Sequence, residues 1–555
     1  MHKIASGPQP ADILILGEAP GENEVKAGQP FIGMSGKELT KMLSEAGILR
    51  SECRIMNVTS YRPPEDKIDA FFPTKSNLNG GEILRHGRYC TTEIQQGLME
   101  LQREIALTKP KVIIALGDTA LWSLTGESSI SKWRGSILEH DSGAWIIPTY
   151  HPAAILRMWS WRFIAVNDLR RASQQVHSPV REPKWNFITS PSYDTVITYL
   201  SDLHSRLNKS STKAYLSVDI ETRSGHIDCI GIAWSTTEAL CIPFCVIRGK
   251  HYFSLEEEAV ILQLLRKVLL HPMAAVVGQN FLYDAMYMAK RWGWYPTPAF
   301  DTMIGHAVAF PGLPKALDFL SSLYLPYHRY WKDESKEADL KADDLIRWEY
   351  NCKDCCATYG CIEPIMDSIS KGNLTEPLNF EMSLFDPLME MMMRGVKIDT
   401  ARRSEYALAI MDEQAKLEHW FQDLGEGVWQ TNELVKNVKT ASAWYNSPTQ
   451  QRKIFYDLLG MEVIHNRKTK KPTVDDEALL HFGQKEPIML PIVEKLAIYR
   501  SLGVFYSTFV TSELDNDNRV RTKYNPVGTE TFRFSSSIDD FGKGMNLQNI
   551  PGKKE

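Results

Sequence analysis

Apolar and polar positions change rhythm along this chain, and each rhythm predicts a different architecture. Residues 11–21, Ala-Asp-Ile-Leu-Ile-Leu-Gly-Glu-Ala-Pro-Gly, are a continuous apolar run that breaks at Gly17 into a Gly/Pro loop, which reads as a buried strand. Lys111 to Gly117 is a second such run, followed by a helical pattern from Asp118 to Leu124, and Trp145 to His151 is a third. Buried runs alternating with helical segments predict a parallel α/β sheet whose working loops lie at the strand C-termini, where Glu18, Asn57, Gly117 and His151 fall. The polar, two-proline stretch starting at His177 reads as a linker. From Leu378 the rhythm becomes helical: Leu384, Leu388, Met391 and Met392 recur at near-helical spacing between Phe380 and Arg394, so the Met389 to Met393 run reads as a core face. With 555 residues the chain is too long for one core, and the rhythms divide it into 1–176, a linker over 177–185, 186–372 and 373–555.

Candidate chemistry enters at Ser217-Val-Asp-Ile-Glu-Thr222. Residues two apart in a strand share a face, so Asp219 and Glu221 sit side by side while Val218 and Ile220 enter the core. For D-x-E by itself, a strand with solvated acids is the commoner explanation. Two anions held that close favour a cation, and hard carboxylate oxygens suit Mg2+ or Mn2+. Two such ions about 3.5 to 4 Å apart can clamp both oxygens of an in-line phosphoryl displacement. Downstream, Asn280 and Asp284 are four apart, as are Tyr350 and Asp354, which places each pair on one helical face. With D-x-E, N-x3-D and Y-x3-D in this order, residues 186–372 resemble the DEDDy 3'-5' exonucleases. The resemblance implies an RNase H-like fold acting on single-stranded 3' ends. It implies that Asp219, Glu221, Asp284 and Asp354 hold two metal ions, that Tyr350 orients the attacking water, and that Asn280 meets the nucleic acid.

The first 175 residues carry a second ordered set: Gly17-Glu-Ala-Pro-Gly21, Gly28-Gln-Pro-Phe31-Ile-Gly33, Asn57-Val-Thr-Ser-Tyr61-Arg-Pro-Pro64, Arg134-Gly135 and Thr149-Tyr-His151-Pro. They resemble the uracil-DNA glycosylase superfamily, most closely its family 4 branch, a parallel α/β sandwich. The resemblance implies that Phe31 stacks on a flipped uracil, Asn57 reads its edge, Glu18 positions water and His151 stabilises the departing uracil anion. The base must leave the helix, because its glycosidic carbon is unreachable inside the stack. Family 4 enzymes hold an iron-sulfur cluster on four cysteines. Here Tyr61 stands at the expected cysteine position, no C-x2-C precedes the first strand and only Cys90 falls where a ligand is expected, so no cluster is expected. Two readings stay open for this domain: a working glycosylase, and a glycosylase-like fold kept as a DNA-binding or docking module.

Near the end, the loop His465 to Thr473 concentrates Arg467, Lys468, Lys470 and Lys471. It is either a solvated turn or a thumb-tip loop that neutralises duplex phosphates. Residues 378–555 resemble family A DNA polymerases over the mostly α thumb and the first part of the palm. Arg394-Gly-Val-Lys-Ile-Asp399, Asn446-Ser-Pro, Gly528-Thr-Glu-Thr-Phe-Arg533-Phe-Ser-Ser536 and Asn546-Leu-Gln-Asn-Ile-Pro551 carry the resemblance. It implies that Arg533, Ser535, Ser536, Asn546 and Gln548 contact a DNA primer-template. Phe532 stands where the family usually has glycine. The order glycosylase-like, exonuclease, polymerase is similar to that of large bacteriophage polymerases of family A. In that family the palm aspartates and the fingers follow the Asn-Leu-Gln-Asn-Ile-Pro motif, and here only Gly552-Lys-Lys-Glu555 follows. The expectation is therefore that polymerisation needs a missing or separate palm and fingers portion, with a second polypeptide carrying it and other replication proteins as expected partners.

Composition changes this picture little. The chain is 43% apolar and 24% charged, ordinary for a globular protein, and its net charge of -5 does not exclude DNA, since phosphate contacts need only local basic patches. No run approaches 18 apolar residues and Met1-His-Lys-Ile-Ala is no signal peptide, so a cytoplasmic protein without membrane contact is expected, in an infected bacterial host by resemblance. Nine scattered cysteines argue against a disulfide framework. Cys352, Cys355 and Cys356 fall on the helix face opposite Tyr350 and Asp354 and read as core. The sequence thus reads as the N-terminal part of an α/β multidomain, phage-type replicative polymerase that proofreads. The alternative is a repair hydrolase that excises uracil and trims 3' ends, its polymerase remnant non-catalytic. A non-enzymatic clamp is disfavoured, because four converging acids without metal repel one another.

Overall fold

The computed structural model describes residues 5–247, 249–428 and 441–550. Met1 to Ile4, Pro551 and Gly552 to Glu555 lie outside the described residues. The chain forms two compact units, Met1–Asp386 with Thr529–Arg533, and Pro387–Gly528 with Phe534–Glu555.

The first unit holds two six-stranded sheets. One runs in the order Ala5–Ser6, Arg54–Asn57, Ile13–Gly17, Val112–Leu116, Trp145–Thr149, Leu138–Glu139. Its four central strands are parallel, and an antiparallel strand closes each edge. The continuous apolar runs follow from burial on both faces. Ile15, Ile55, Ile114 and Ile147 pack on one side with Leu39 and Leu43 of the Met34–Glu45 helix and Ala165 and Leu169 of the Arg162–His177 helix. Leu14, Met56, Ile113 and Ile146 pack on the other with Leu98 and Leu101 of the Thr92–Thr108 helix and Leu121 of the Asp118–Thr125 helix. The parallel strands end at Gly17, Asn57, Leu116 and Thr149, so the candidate residues named above cluster at one edge of the sheet.

The second sheet runs Phe300–Asp301, Ala274–Gly278, Ala214–Arg223, His226–Ala233, Glu238–Pro243, Asn186–Ile188. The D-x-E strand, Ala214–Arg223, is central, parallel to Ala274–Gly278 and antiparallel to His226–Ala233, and its register slips between Glu221 and Thr222. The Asp344–Lys371 helix lies across this sheet, with Trp348, Cys352, Cys355 and Cys356 packed on Cys229, Ala233, Ala239 and Cys241. All nine cysteines are free thiols. Gly231 sets how closely the helix sits, because a Cβ there would lie 2.4 Å from Asn351 Oδ1 and 2.5 Å from Cys355 Sγ.

The second unit is mostly helical. The Thr400–Val428, Asp476–Lys485 and Leu490–Phe505 helices gather Leu417, Phe421, Trp444, Phe455, Phe482 and Leu496 into its core. Two short antiparallel ladders pair Val396–Lys397 with Arg519–Val520, and Lys523–Asn525 with Ser535–Ser537. The helical run expected from Phe380 to Arg394 is two helices, Thr375–Ser383 and Phe385–Arg394. Its buried face is Phe385, Leu388, Met389 and Met392, an i, i+3, i+4, i+7 set, so Met391 points outward, 47% exposed. No described helix is long and apolar enough to cross a membrane.

The close seat on Gly231 yields a stability prediction. Gly231→Ala is expected to cost about 1–3 kcal/mol, the range for overpacking a close-packed interior. It should lower the melting midpoint by several degrees in scanning calorimetry; an unchanged midpoint would show that the helix does not depend on this contact.

Candidate functional site

A strand of the second sheet and the helix lying across that sheet build a carboxylate cluster. The strand Ala214–Arg223 presents Asp219 and Glu221 from one face while Val218 and Ile220 are buried beneath it, and the helix Asp344–Lys371 presents Asp354. Ligand atoms of Asp219, Glu221 and Asp354 all lie within 4.8 Å of one another. Asp284, on the Leu282–Trp292 helix, is not in that trio. Its Oδ1 accepts a hydrogen bond from the Ile220 N–H at 2.8 Å, which ties it to the backbone between the two strand acids. Tyr350 lies one turn before Asp354 and is buried with it. Asn280 departs from expectation: the helix starts at Leu282, and Asn280 sits in the preceding turn at φ +58° with its N–H donated to Asp301 Oδ1 at 3.1 Å.

Burial, then the neighbouring Asp354 charge, pushes the Asp219 carboxyl up to about 7. Burial, then Asp219, holds Glu221 and Asp284 well above the usual carboxylate range. Burial also raises Tyr350, which therefore keeps its phenolic proton. Such a donor set, all hard oxygen and mutually repelling, fits Mg2+ or Mn2+. Residues outside the sequence motifs complete the site. Asn351 Nδ2 donates to Asp219 Oδ2 at 2.8 Å, and Trp331 Nε1 donates to Asp354 Oδ1 at 2.7 Å. Lys332 Nζ donates to Asp354 Oδ2 at 2.5 Å and to the Tyr350 hydroxyl at 2.9 Å. Burial opposes the Lys332 charge, but Asp354, Asp219 and Glu221 outweigh it and raise its pKa. Only Asn351 had an available signal, its place beside Tyr350; Trp331 and Lys332 come from an aperiodic stretch.

Glu18, Phe31, Asn57 and His151 gather at the C-terminal edge of the first sheet. The rings of Phe31 and His151 lie 5.6 Å apart. Gly17 permits the close packing: a Cβ there would fall 2.3 Å from Asn57 Oδ1 and 2.5 Å from Phe31 Cζ. Glu18 Oε2 accepts from Thr119 Oγ1 at 2.6 Å, and burial raises its pKa. Glu24 Oε2 accepts the Gly21 N–H at 3.3 Å; burial raises its pKa, opposed by the nearby amides of Gly21, Phe31 and Asn57. Arg50 Nη2 donates to the Phe31 carbonyl at 2.9 Å. These positioning residues lay outside the sequence reading. Burial lowers His151 to about 4, so its imidazole is neutral at physiological pH. Its Nδ1 accepts the Ala153 N–H at 3.2 Å, which leaves the ring proton on Nε2. Tyr61 is exposed and donates to Gln96 Oε1 at 2.9 Å, while Cys90 is buried in the sheet core.

Near the C-terminus, Ser536 Oγ donates to Asn546 Oδ1, which also accepts the Gln548 N–H at 3.0 Å. Ser535 lies in the same ladder strand. Arg533 is exposed, its N–H donated to Thr529 Oγ1 at 3.0 Å. Phe532 takes φ +57°, a conformation that favours glycine. Arg467, Lys468, Lys470 and Lys471 are all exposed on one turn, with Arg467 3.4 Å from Glu477.

Comparison with known proteins finds three family matches along the chain. Residues 4–170 match the uracil DNA glycosylase superfamily, 195–365 the 3'-5' exonuclease family and 414–555 DNA polymerase family A. A type-4 uracil-DNA glycosylase of Thermotoga maritima is 35% identical over 30% of this chain and 80% of its own length. One from Sulfurisphaera tokodaii is 35% identical over 31% of this chain and 73% of its own length. A DNA polymerase of Bacillus phage SP01 is 21% identical over 99% of this chain and 63% of its own length, so the chain spans under two thirds of that relative. The solved POL domain of Pol1 from M. smegmatis, in complex with DNA primer-template and dNTP, aligns with a TM-score of 0.47 at 18% identity, covering 67% of this chain and 56% of that one.

The raised Asp219 carboxyl sets a pH dependence. Between the unfolded value near 3.8 and the folded value of about 7, the folded chain binds more protons than the unfolded chain, so metal-free stability falls as pH rises through that window. Asp219→Asn is expected to melt above the native chain at pH 7 in EDTA, by a few degrees, with the gap closing toward pH 4. A gap that does not change with pH would remove repulsion as its cause.

Proposed function

We propose, from the premise that this chain belongs through residues 4–170 to the uracil-DNA glycosylase superfamily, in its type-4 branch, that it is the proofreading and primer-gripping part of a phage-type family A DNA polymerase. One observation carries the reading: three carboxylates within 4.8 Å beside a buried tyrosine, inside the region that matches the 3'-5' exonucleases. Asp219, Glu221 and Asp354, with Asp284 behind them, would hold one or two Mg2+ or Mn2+ ions, which when bound supply Lewis acidity and an acidified water. Tyr350 keeps its proton and can hold the attacking water by a hydrogen bond. A frayed single-stranded 3' end is the expected substrate. The sequence likeness to the phage polymerase along nearly the whole chain favours this reading over a repair hydrolase. Ser535, Ser536, Asn546 and Gln548 and the exposed cations on the Arg467 turn, all of the second unit, and Arg533 of the first, would contact a primer-template. Nucleotide addition would draw on palm and fingers residues, supplied by a second polypeptide or by further chain, in the cytoplasm of an infected bacterium.

The neutral His151, with its proton on Nε2, suits stabilisation of a departing uracil anion, and Phe31 and Asn57 suit holding the base. Uracil excision is thus part of the proposal for the first domain.

Single-stranded DNA labelled at its 5' end should be shortened from its 3' end with Mg2+ or Mn2+ and not with EDTA. Asp219→Ala should lose at least about 100-fold in rate, the scale of removing charge-stabilising machinery. A native rate for that variant would refute the assignment. In EDTA, which silences the exonuclease, uracil-containing DNA should acquire alkali-labile sites that vanish with His151→Ala. If none form, the first domain is a docking or DNA-binding module.

A further inference from the structure

The glycosylase-like and exonuclease domains share the first unit, and one segment, Pro326 to Asp333, runs from contacts with the first domain to the carboxylate cluster of the second. At its start, Arg171 of the glycosylase-like domain donates to the carbonyls of Ser322, Leu325 and Pro326 at 2.8 to 2.9 Å. Buried Arg134, paired with Asp168, donates to Ser322 Oγ at 2.7 Å and lies over the Phe319 ring. Farther along, the Ile137 N–H donates to the His328 carbonyl at 2.7 Å, and the Tyr330 N–H donates to Ser136 Oγ at 3.2 Å. Trp133 packs on Tyr330 at 5.4 Å, and Lys132 pairs with Asp333 at 3.0 Å. Between these last anchors the segment sends Trp331 and Lys332 the other way, into the carboxylate cluster, where both donate to Asp354.

The Lys332 side chain is 24% exposed, and its ammonium sits on one carboxylate oxygen of Asp354 while Trp331 donates to the other. It is a tethered cation in a site built for a free one. We infer that the glycosylase-like domain controls metal loading of the exonuclease site, by holding the Pro326 to Asp333 segment so that Lys332 competes with the incoming ion for Asp354. This inference rests on the metal-site reading above. Lys332 is a positioning residue here: while its ammonium sits on Asp354 and Tyr350, both are pre-placed but the ion is opposed. Metal entry requires the lysine to swing off Asp354, and the anchors on Ser136, Ile137 and Lys132 resist that movement. Loading therefore pulls on the domain interface, and loosening the interface eases loading.

The test is Mn2+ binding to the full chain, read by calorimetry and by loss of the free-ion electron paramagnetic resonance signal, without DNA. Native chain should bind Mn2+, and Asp219→Ala should abolish binding. Lys332→Met should tighten binding by about tenfold or more, because it removes a competing charge at contact distance. Lys332→Arg, which keeps the cation, should stay near the native affinity. The double variant Lys132→Ala with Ser136→Ala leaves every carboxylate and Lys332 intact; it should tighten binding about threefold and speed proteolysis within the segment. Unchanged or weaker binding by Lys332→Met overturns the competition, even where the native chain binds metal as proposed. Tighter binding by Lys332→Met with no effect of the interface pair overturns control by the glycosylase-like domain. Absence of binding to the native chain and to Lys332→Met alike overturns the metal-site reading and this inference with it.

Discussion

Repulsion among buried carboxylates is the constraint around which the first unit is arranged. Asp219, Glu221 and Asp354 are held within 4.8 Å by two rigid elements that cannot separate them without unseating the core. At such distances, like charges away from water cost several kcal/mol unless protons or cations intervene. The chain meets that cost locally. Asn351 and Trp331 donate to two of the acids, a backbone N–H donates to Asp284, and Lys332 brings a full positive charge. None of these removes the excess negative charge, which leaves the cluster ready for a divalent ion. Gly231 belongs to the same account, because without its missing side chain the helix could not bring Asp354 so near the strand.

What was legible in the sequence follows from periodicity. D-x-E in an apolar run could be placed on one face because strands repeat every two residues, and Tyr350 with Asp354 because helices repeat near four. The parallel sheet was legible because strands buried on both faces read as unbroken apolar runs, and Ile15 and Leu14 do face opposite layers. The same rule misplaced Asn280. Its N-x3-D spacing is helical, but Asp301 draws its backbone N–H into a left-handed turn before the helix begins. Met391 was misplaced for a smaller reason, since the register of an amphipathic face is known only to about one residue until its partner packs on it. Lys332 and Trp331 were invisible because nothing periodic governs an irregular segment; its course is set by Ser136, Ile137 and Lys132, some two hundred residues earlier in the chain.

The interface that sets this course is an expensive one. Arg134 and Asp168 are almost fully buried, and removing either partner of such a pair costs about 3–5 kcal/mol, while replacing both by apolar groups is often neutral. A charged pair therefore does little for stability that leucines could not do. What it adds is direction: the guanidinium satisfies Asp168 and still donates to Ser322, and Arg171 reads three carbonyls that exist together only when the Leu317–Tyr324 helix ends where it does. Hydrogen-bond geometry fixes one docked arrangement where greasy contact would tolerate several.

That same network reaches the residues around Phe31. Thr149 donates to Asp168 at 2.8 Å from the last residue of its strand, and His151 follows two residues later as the cap of the next helix. A domain kept only for docking would need Thr149, Asp168 and Arg134, but nothing in docking requires Phe31 to sit at φ +56°, a conformation that costs a residue of its size about 1 kcal/mol or more. Arg50 holds Phe31 there by its carbonyl, and Gly17 leaves room for its ring against Asn57. The strained Phe31 is thus held at the edge where the parallel strands present their C-termini. Thr149 ends its strand and His151 caps the helix that follows, so the interface network and the residues around Phe31 meet two positions apart in the chain.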